Sequence, residues 1–189
     1  EPASALLQKI RTEKDRLIAT GQLKRDKPLP PISDEEKPFE LPEGWEWART
    51  PDIAQSRLGK MLDAAKNTGA AYPYLRNTNL QWRRFDLSDI KEIYLEPYEL
   101  VEYRLLPGDL LICEGGEPGR CAVWLDTETE MYFQKALHRV RPFGGVSSEY
   151  LAIVFEADVR AGRLDERFTG ATIKHFTGQA LERYVFALP

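Results

Sequence analysis

The sequence predicts a mixed α+β domain, mainly antiparallel sheet with a few helices, preceded by one long amphipathic helix. Three observations lead there. Short apolar runs bounded by turn residues recur from Trp45 onward, no regular strand–helix–strand alternation or internal repeat orders them, and an apolar 3-4-3-4 spacing is confined to residues 3–21.

In that first segment Ala3, Leu7, Ile10, Lys14 and Leu17 share one seam, with Leu6 and Ile18 beside it and charge elsewhere. Gly21 is a stop signal. The stripe is too narrow to form a core alone, so it has to pack on another helix, in this chain or in a partner. The stretch QLKRDKPLPPISDEEKPFELPEG that follows is rich in proline and charge, without periodicity, and reads as a linker. The resulting division is a helical segment over 1–27, a linker over 28–44 and a globular domain over 45–189.

Within the domain, WEWAR and the stretch from Tyr72 to Leu80 read as strands, and PYELVEYRL as a short helix ended by Pro107 and Gly108. DLLICEG and RCAVWL are apolar runs on either side of GEPG, a turn that joins antiparallel strands. FQKALHRVRP alternates as a strand. SSEYLAIVFEADVRAG places Leu151, Val154, Phe155 and Val159 on one helical face, with a Ser cap before and Gly162 after. YVFALP reads as a closing strand.

Composition narrows the function. At 189 residues and 42% hydrophobic the chain can bury one sizeable core. No run approaches the roughly 18 apolar residues a membrane helix needs, and the first residues lack a signal peptide, so no membrane partner is expected and the cytoplasm is the default compartment. A start without Met and a stop directly after an apolar run read as a piece of something longer. Cys113 and Cys121 sit in apolar runs and read as buried thiols, and with two distant histidines they make no zinc signature. No metal or cofactor is expected.

Net charge is −4, which by itself argues against nucleic acid, but the charge is segregated. Arg57 to Arg84 holds six basic residues and only Asp63 as acid, whereas residues 33–46 and 86–102 each hold six acids and one lysine. Residues 131–148 contain no acid, and RFTGATIKHFTG adds Arg167 and Lys174. If these segments converge, an acidic chain still shows phosphate a positive face; the plainer reading is solvated charge spread over the surface.

Reading duplex DNA takes cations and amides for phosphate and forked donors or acceptors for base edges. Arg76, Arg83 and Arg84 suit phosphate or guanine. In a strand, Asn77, Asn79 and Gln81 of RNTNLQ point to one side and suit adenine edges; the competing reading is a loop in which Asn satisfies turn geometry. Lys60, Lys66 and Asn67 fall on a glycine-flanked basic loop that either orders on DNA or is ordinary solvent loop. GGEPGR puts Glu114, Glu117 and Arg120 at a hairpin tip, where Glu accepts from cytosine and Arg donates to guanine, although a glycine-rich turn is needed there to reverse the chain in any case. It is not a phosphate-binding loop, since no Lys-Ser/Thr follows. Thr172, Lys174 and His175 form a third contact cluster. His138 reads as a satisfied, half-buried histidine, with Gln134, Lys135 and Arg139 as better surface candidates. Trp45, Trp47, Trp82 and Trp124 read as core or interface anchors.

LPEGWEWART, YLRNTNLQ, GDLLICEGGEPGRCAVW, QKALHRVRP and TGATIKHFTGQALERYVFALP, in this order, resemble a target-recognition domain of the specificity subunits of type I restriction enzymes. LLQKIRTEKDRLIATGQLKRDK resembles the end of the spacer helix that precedes a second such domain. The resemblance covers essentially the whole chain. It implies a non-catalytic reader of double-stranded DNA, with methylation and cleavage left to separate modification (methyltransferase) and restriction (translocase/nuclease) subunits. It also implies helix pairing through Leu7, Ile10 and Leu17, which would permit self-association.

Two other classes compete. A protein-interaction module would depend on the helical seam alone. A self-contained nuclease or methyltransferase would need a metal motif, yet Gly116 stands where a lysine should follow Asp109 and Glu114, and no glycine-rich cofactor strand is visible.

Overall fold

The structure is a computed structural model and describes residues 2–63 and 65–189; Glu1 of the helical segment and Ala64 of the basic loop lie outside them. The architecture is the expected mixed α+β, with small, largely antiparallel sheets. Helix α1 spans Ala3–Ala19 and ends at Thr20, followed by Gly21 with a φ of 73° that L side chains rarely adopt. Residues 22–27 are therefore not helical.

Strand β1 (Glu46–Arg49) pairs antiparallel with the last strand, β11 (Val185–Leu188), so the two ends of the globular region close on each other. The short α2 (Thr50–Ile53) leads into β2 (Ala54–Leu58). This strand is the edge of a four-stranded antiparallel sheet ordered β2-β10-β7-β8, with β7 at Asp109–Cys113, β8 at Cys121–Trp124 and β10 at Leu137–Pro142. A second sheet holds β6 (Lys91–Leu95), β3 (Ala70–Leu75) and β9 (Tyr132–Phe133), the last running parallel to β3. Leu80–Gln81 (β4) and Arg84–Phe85 (β5) form a hairpin of their own. Helix α3 covers Pro97–Tyr103, α4 covers Ser148–Arg160 and α5 covers Gly178–Arg183.

The apolar runs explain the core. All five residues of β7 are buried because the strand has neighbours on both edges and packing on both faces. Leu151 and Phe155 of α4 carry the helix onto β7 and β8, and the Phe155 ring meets Phe176 at 5.5 Å and Tyr184 at 5.1 Å. The Ser147 hydroxyl accepts from the Tyr150 amide, the cap expected before that helix. Cys113 and Cys121 are free and buried; burial pushes their thiols up to about 11 and about 12. Neither should react with a water-soluble disulfide reagent at pH 8 until the chain unfolds, and stoichiometric labelling of the native state would contradict this packing.

Two features of the N-terminal region depart from a simple helix and linker. Ala3 and Ile10 of α1 are buried in the chain's own core, with Leu6 and Leu7 packed against it and Leu17 half-buried. The Lys14 ammonium donates to the Pro51 carbonyl and pairs with Asp26 at 3.0 Å. The apolar seam thus finds its partner mainly in the domain. Pairing with a second helix through Ile10 would require α1 to leave the domain.

The proline-rich linker is docked as well. The Arg49 guanidinium, almost fully buried, donates to the carbonyls of Pro30, Pro31 and Arg183 and to both carboxylate oxygens of Glu36, at 2.8 and 2.9 Å. Those contacts hold the Glu36 carboxyl down at about 2.

Candidate nucleic-acid interface

Strand register decides which loops meet. Leu58 at the end of β2 lies opposite His138, Leu137 opposite Cys113, and Cys121 opposite Ile112. Leu75 at the end of β3 lies beside Phe133 at the end of β9. The segments 59–60, 76–79, 114–120 and 134–136 therefore all leave the sheets at one end. Backbone bonds tie them together: Lys135 N–H to the Lys60 carbonyl at 2.9 Å, Glu114 N–H to Ala136 at 2.8 Å and Gln134 N–H to Leu75 at 3.2 Å. The segment Thr169–His175 closes on itself and joins the same end, with His175 bridged to Gly115 and the Phe176 amide donating to Glu114 at 2.7 Å. Helix α1 belongs to the other end, where Pro142 leads to Gly145 against the Leu6 side chain.

The basic stretch from Arg57 to Arg84 does not reach this end as a block of free cations. Lys60 is ion-paired with Glu99, Arg76 with Asp89 at 2.7 Å, and Lys66 with Asp63 at 3.3 Å. Asn67 donates to the Met61 carbonyl, within a loop whose far end, Gly69, presses on the Leu95 backbone. Arg83 pairs with Glu156 at 2.5 Å. Burial alone would raise the Glu156 carboxyl, but Arg83 and Arg160 together hold it below the ordinary range. Arg84, Lys135 and Lys174 are exposed and carry no ion pair among the described residues, whereas the equally exposed Lys66 and Arg83 are paired. Thr172 is exposed beside Lys174, and His175 sits 3.2 Å from the Glu114 carboxylate.

The expected strand from Tyr72 to Leu80 breaks at Leu75, and residues 76–79 turn. Asn79 makes that turn. Its side chain accepts from the Arg76 amide at 2.9 Å and donates to the carbonyls of Asp86 and Asp89, and it is 3% exposed, so it is a scaffold residue, not a base reader. Asn77 is the amide that reaches the loop end, against Gly116, while Gln81 donates to the Thr78 carbonyl. Asn77, Asn79 and Gln81 therefore do not share one polar face.

Arg139 also corrects the sequence reading. It lies on β10, the strand between β2 and β7, and is 3% exposed over the Phe133 ring, donating to the carbonyls of Glu102 and Arg104. Burial lowers it to about 10. His138 is fully buried rather than half-buried; its Nε2 lies 2.6 Å from the Phe176 carbonyl, and burial lowers its pKa.

Sequence reasoning missed Arg160 and read Trp82 only as a core or interface anchor. Trp82 heads the β4–β5 turn, where Arg83 takes a φ of 61°, and its indole N–H donates to Glu117 at 3.3 Å while the Arg160 guanidinium covers the ring at 4.7 Å. A Trp-Arg pair inside a two-residue turn was the available signal.

No protein-family model matches the chain. It is 41% identical over 116 residues to the type I restriction enzyme EcoAI specificity subunit of Escherichia coli, a match covering 59% of this chain and 19% of that protein. It is 29% identical over 178 residues to the EcoEI specificity subunit of the same organism, covering 90% of this chain and 30% of that one. Over these stretches the chain is similar to type I restriction enzyme specificity subunits. It spans less than a third of the length of these two relatives. The fold agrees. The HsdS subunit from Thermoanaerobacter tengcongensis superposes with a TM-score of 0.55 at 16% identity, over 98% of this chain and 44% of that one. A chain from a structure of complex assembly and conformational transition in the type I R-M system gives 0.57 at 17% identity, over 98% and 45%. The loop end just described joins five segments by backbone hydrogen bonds and leaves Lys135 and Lys174 exposed on them, which makes it the candidate site.

Proposed function

We propose that this chain is a target-recognition domain that reads one part of a double-stranded DNA site. Residues 45–189 do the reading, and residues 1–27 contribute the end of a spacer that sets the domain's place along the DNA. Methylation and cleavage fall to modification and restriction subunits that dock on it, and the chain itself supplies no catalytic group and needs no cofactor. The setting is the cytoplasm; no helix among the described residues is long and apolar enough to cross a membrane.

The observation that carries this reading is the convergence of five loops at one end of the sheets, with Lys135 and Lys174 exposed and unpaired on them, Asn77 bonded to the 114–120 loop, and the β4–β5 turn beside the exposed Arg84 joined to it through Trp82 and Glu117. Unpaired cations anchor phosphate, and fixed amides and carboxylates read base edges. The nuclease alternative fares badly on geometry: Asp109 and Glu114 flank β7 at opposite ends, roughly 16 Å apart at strand rise, and Asp109 is buried against Arg141. The helix-only interaction module is disfavoured by Ile10, which the domain core already holds.

Selection and sequencing of a random duplex library tests the proposal, using the chain alone and together with a modification subunit. Enrichment of a short motif is expected. Salt-sensitive binding without any enriched motif would leave only a basic surface and sink it.

A further inference from the structure

The tip of the β7–β8 hairpin carries an ion pair with an unusual orientation for a surface that meets phosphate. Arg120 is 14% exposed and Glu117 is 58% exposed, so the pair buries its cation and displays its anion. Arg120 is spent internally: it donates to the Asn77 carbonyl at 2.8 Å and to Glu117 at 2.7 Å. Glu117 is held from two sides, one oxygen by Arg120 and the other by the Trp82 indole at 3.3 Å.

The tip itself has little freedom. A Cβ on Gly116 would meet the Asn77 amide at 2.5 Å, and one on Gly119 would meet Val159 at 2.8 Å; both glycines have positive φ. The second acid of the hairpin, Glu114, is 17% exposed and covered by His175. Glu117 is thus a rigid acceptor that projects from the end where Arg84, Lys135 and Lys174 stand.

A carboxylate so placed repels phosphate, and it is favourable only where it meets a donor. In the major groove the donors are exocyclic amines, N4 of cytosine and N6 of adenine, whereas guanine and thymine present O6 and O4 acceptors at the corresponding place. Adenine also carries the N7 acceptor beside its amine, which faces the second carboxylate oxygen. We infer that Glu117 is a specificity-determining residue that accepts from a base amine, cytosine before adenine, with Arg120 and Trp82 as its positioning residues. The inference rests on the DNA-reading role proposed above and adds which base chemistry one hairpin residue selects.

The test compares motifs selected from a random duplex library by the wild-type chain with its modification subunit, by E117Q and by E117D. The wild type is expected to show a column with C or A excluding G and T. E117Q should keep every other column and lose about tenfold of the discrimination at that one, with adenine gaining because Gln both donates and accepts. E117D, shorter but still an acceptor, should keep the C or A preference at reduced affinity. An unchanged column in E117Q overturns the inference while leaving DNA reading intact. Loss of the entire motif by both variants makes Glu117 a brace for the hairpin and overturns it equally. A wild-type chain that selects no motif refutes the DNA-reading role itself.

Discussion

Arg49→Met should lower the unfolding free energy by about 3–5 kcal/mol, read as a fall in urea midpoint at unchanged slope. The residue is 4% exposed and donates to three carbonyls and a carboxylate drawn from the linker and the end of α5. Methionine fills the volume and satisfies none of them. The same pair sets an acid limit. The folded Glu36 value, about 2, lies below the ordinary 4.5, so its contribution is complete above about pH 4.5 and is lost as pH falls towards 2. It amounts to about 3 kcal/mol at most. The variant should therefore lose stability less steeply over that interval than the wild type. A loss of unfolding free energy below about 1 kcal/mol would mean that the linker is not anchored through Arg49.

The second large effect concerns binding. Removing Arg84, Lys135 and Lys174 together by alanine should flatten the dependence of log affinity on log salt by about 2 to 3, and weaken DNA binding on the order of a hundredfold near physiological salt. All three are exposed and unpaired, so their loss should leave thermal stability nearly unchanged. The equal charge change at Arg11, Lys24 and Arg25, in the N-terminal region, should have little effect on the slope. Equal effects from both triples would make binding a matter of net charge rather than of the loop end.

How much of this was legible in the sequence differs from element to element. The β7–β8 hairpin and α4 were, because GEPG and the Ser147 cap are local signals that act through their own backbone. The mixed α+β class followed from them. The strand through Asn77, Asn79 and Gln81 was not, because the alternation of RNTNLQ matches a strand while the deciding bonds of Asn79 run to Asp86 and Asp89, farther along the chain. Arg139 has the sequence environment of a surface strand residue, and only the order β2-β10-β7 puts it in the middle of a sheet. The linker looked solvated because proline and charge usually are; nothing in WEWART marks Arg49 as its anchor. At the candidate site, residue types were legible but their partners were not, and partners decide which cations remain free.

On this reading DNA meets the loop end of the sheets and not α1 or the acidic side around α3. Hydrogen exchange measured with and without a selected duplex tests it most directly. Slowed exchange is expected in 76–84, 114–120, 134–136 and 169–175, with 97–103 unchanged. Protection confined to α1 or α3, with those four segments exchanging as in the free chain, would contradict it.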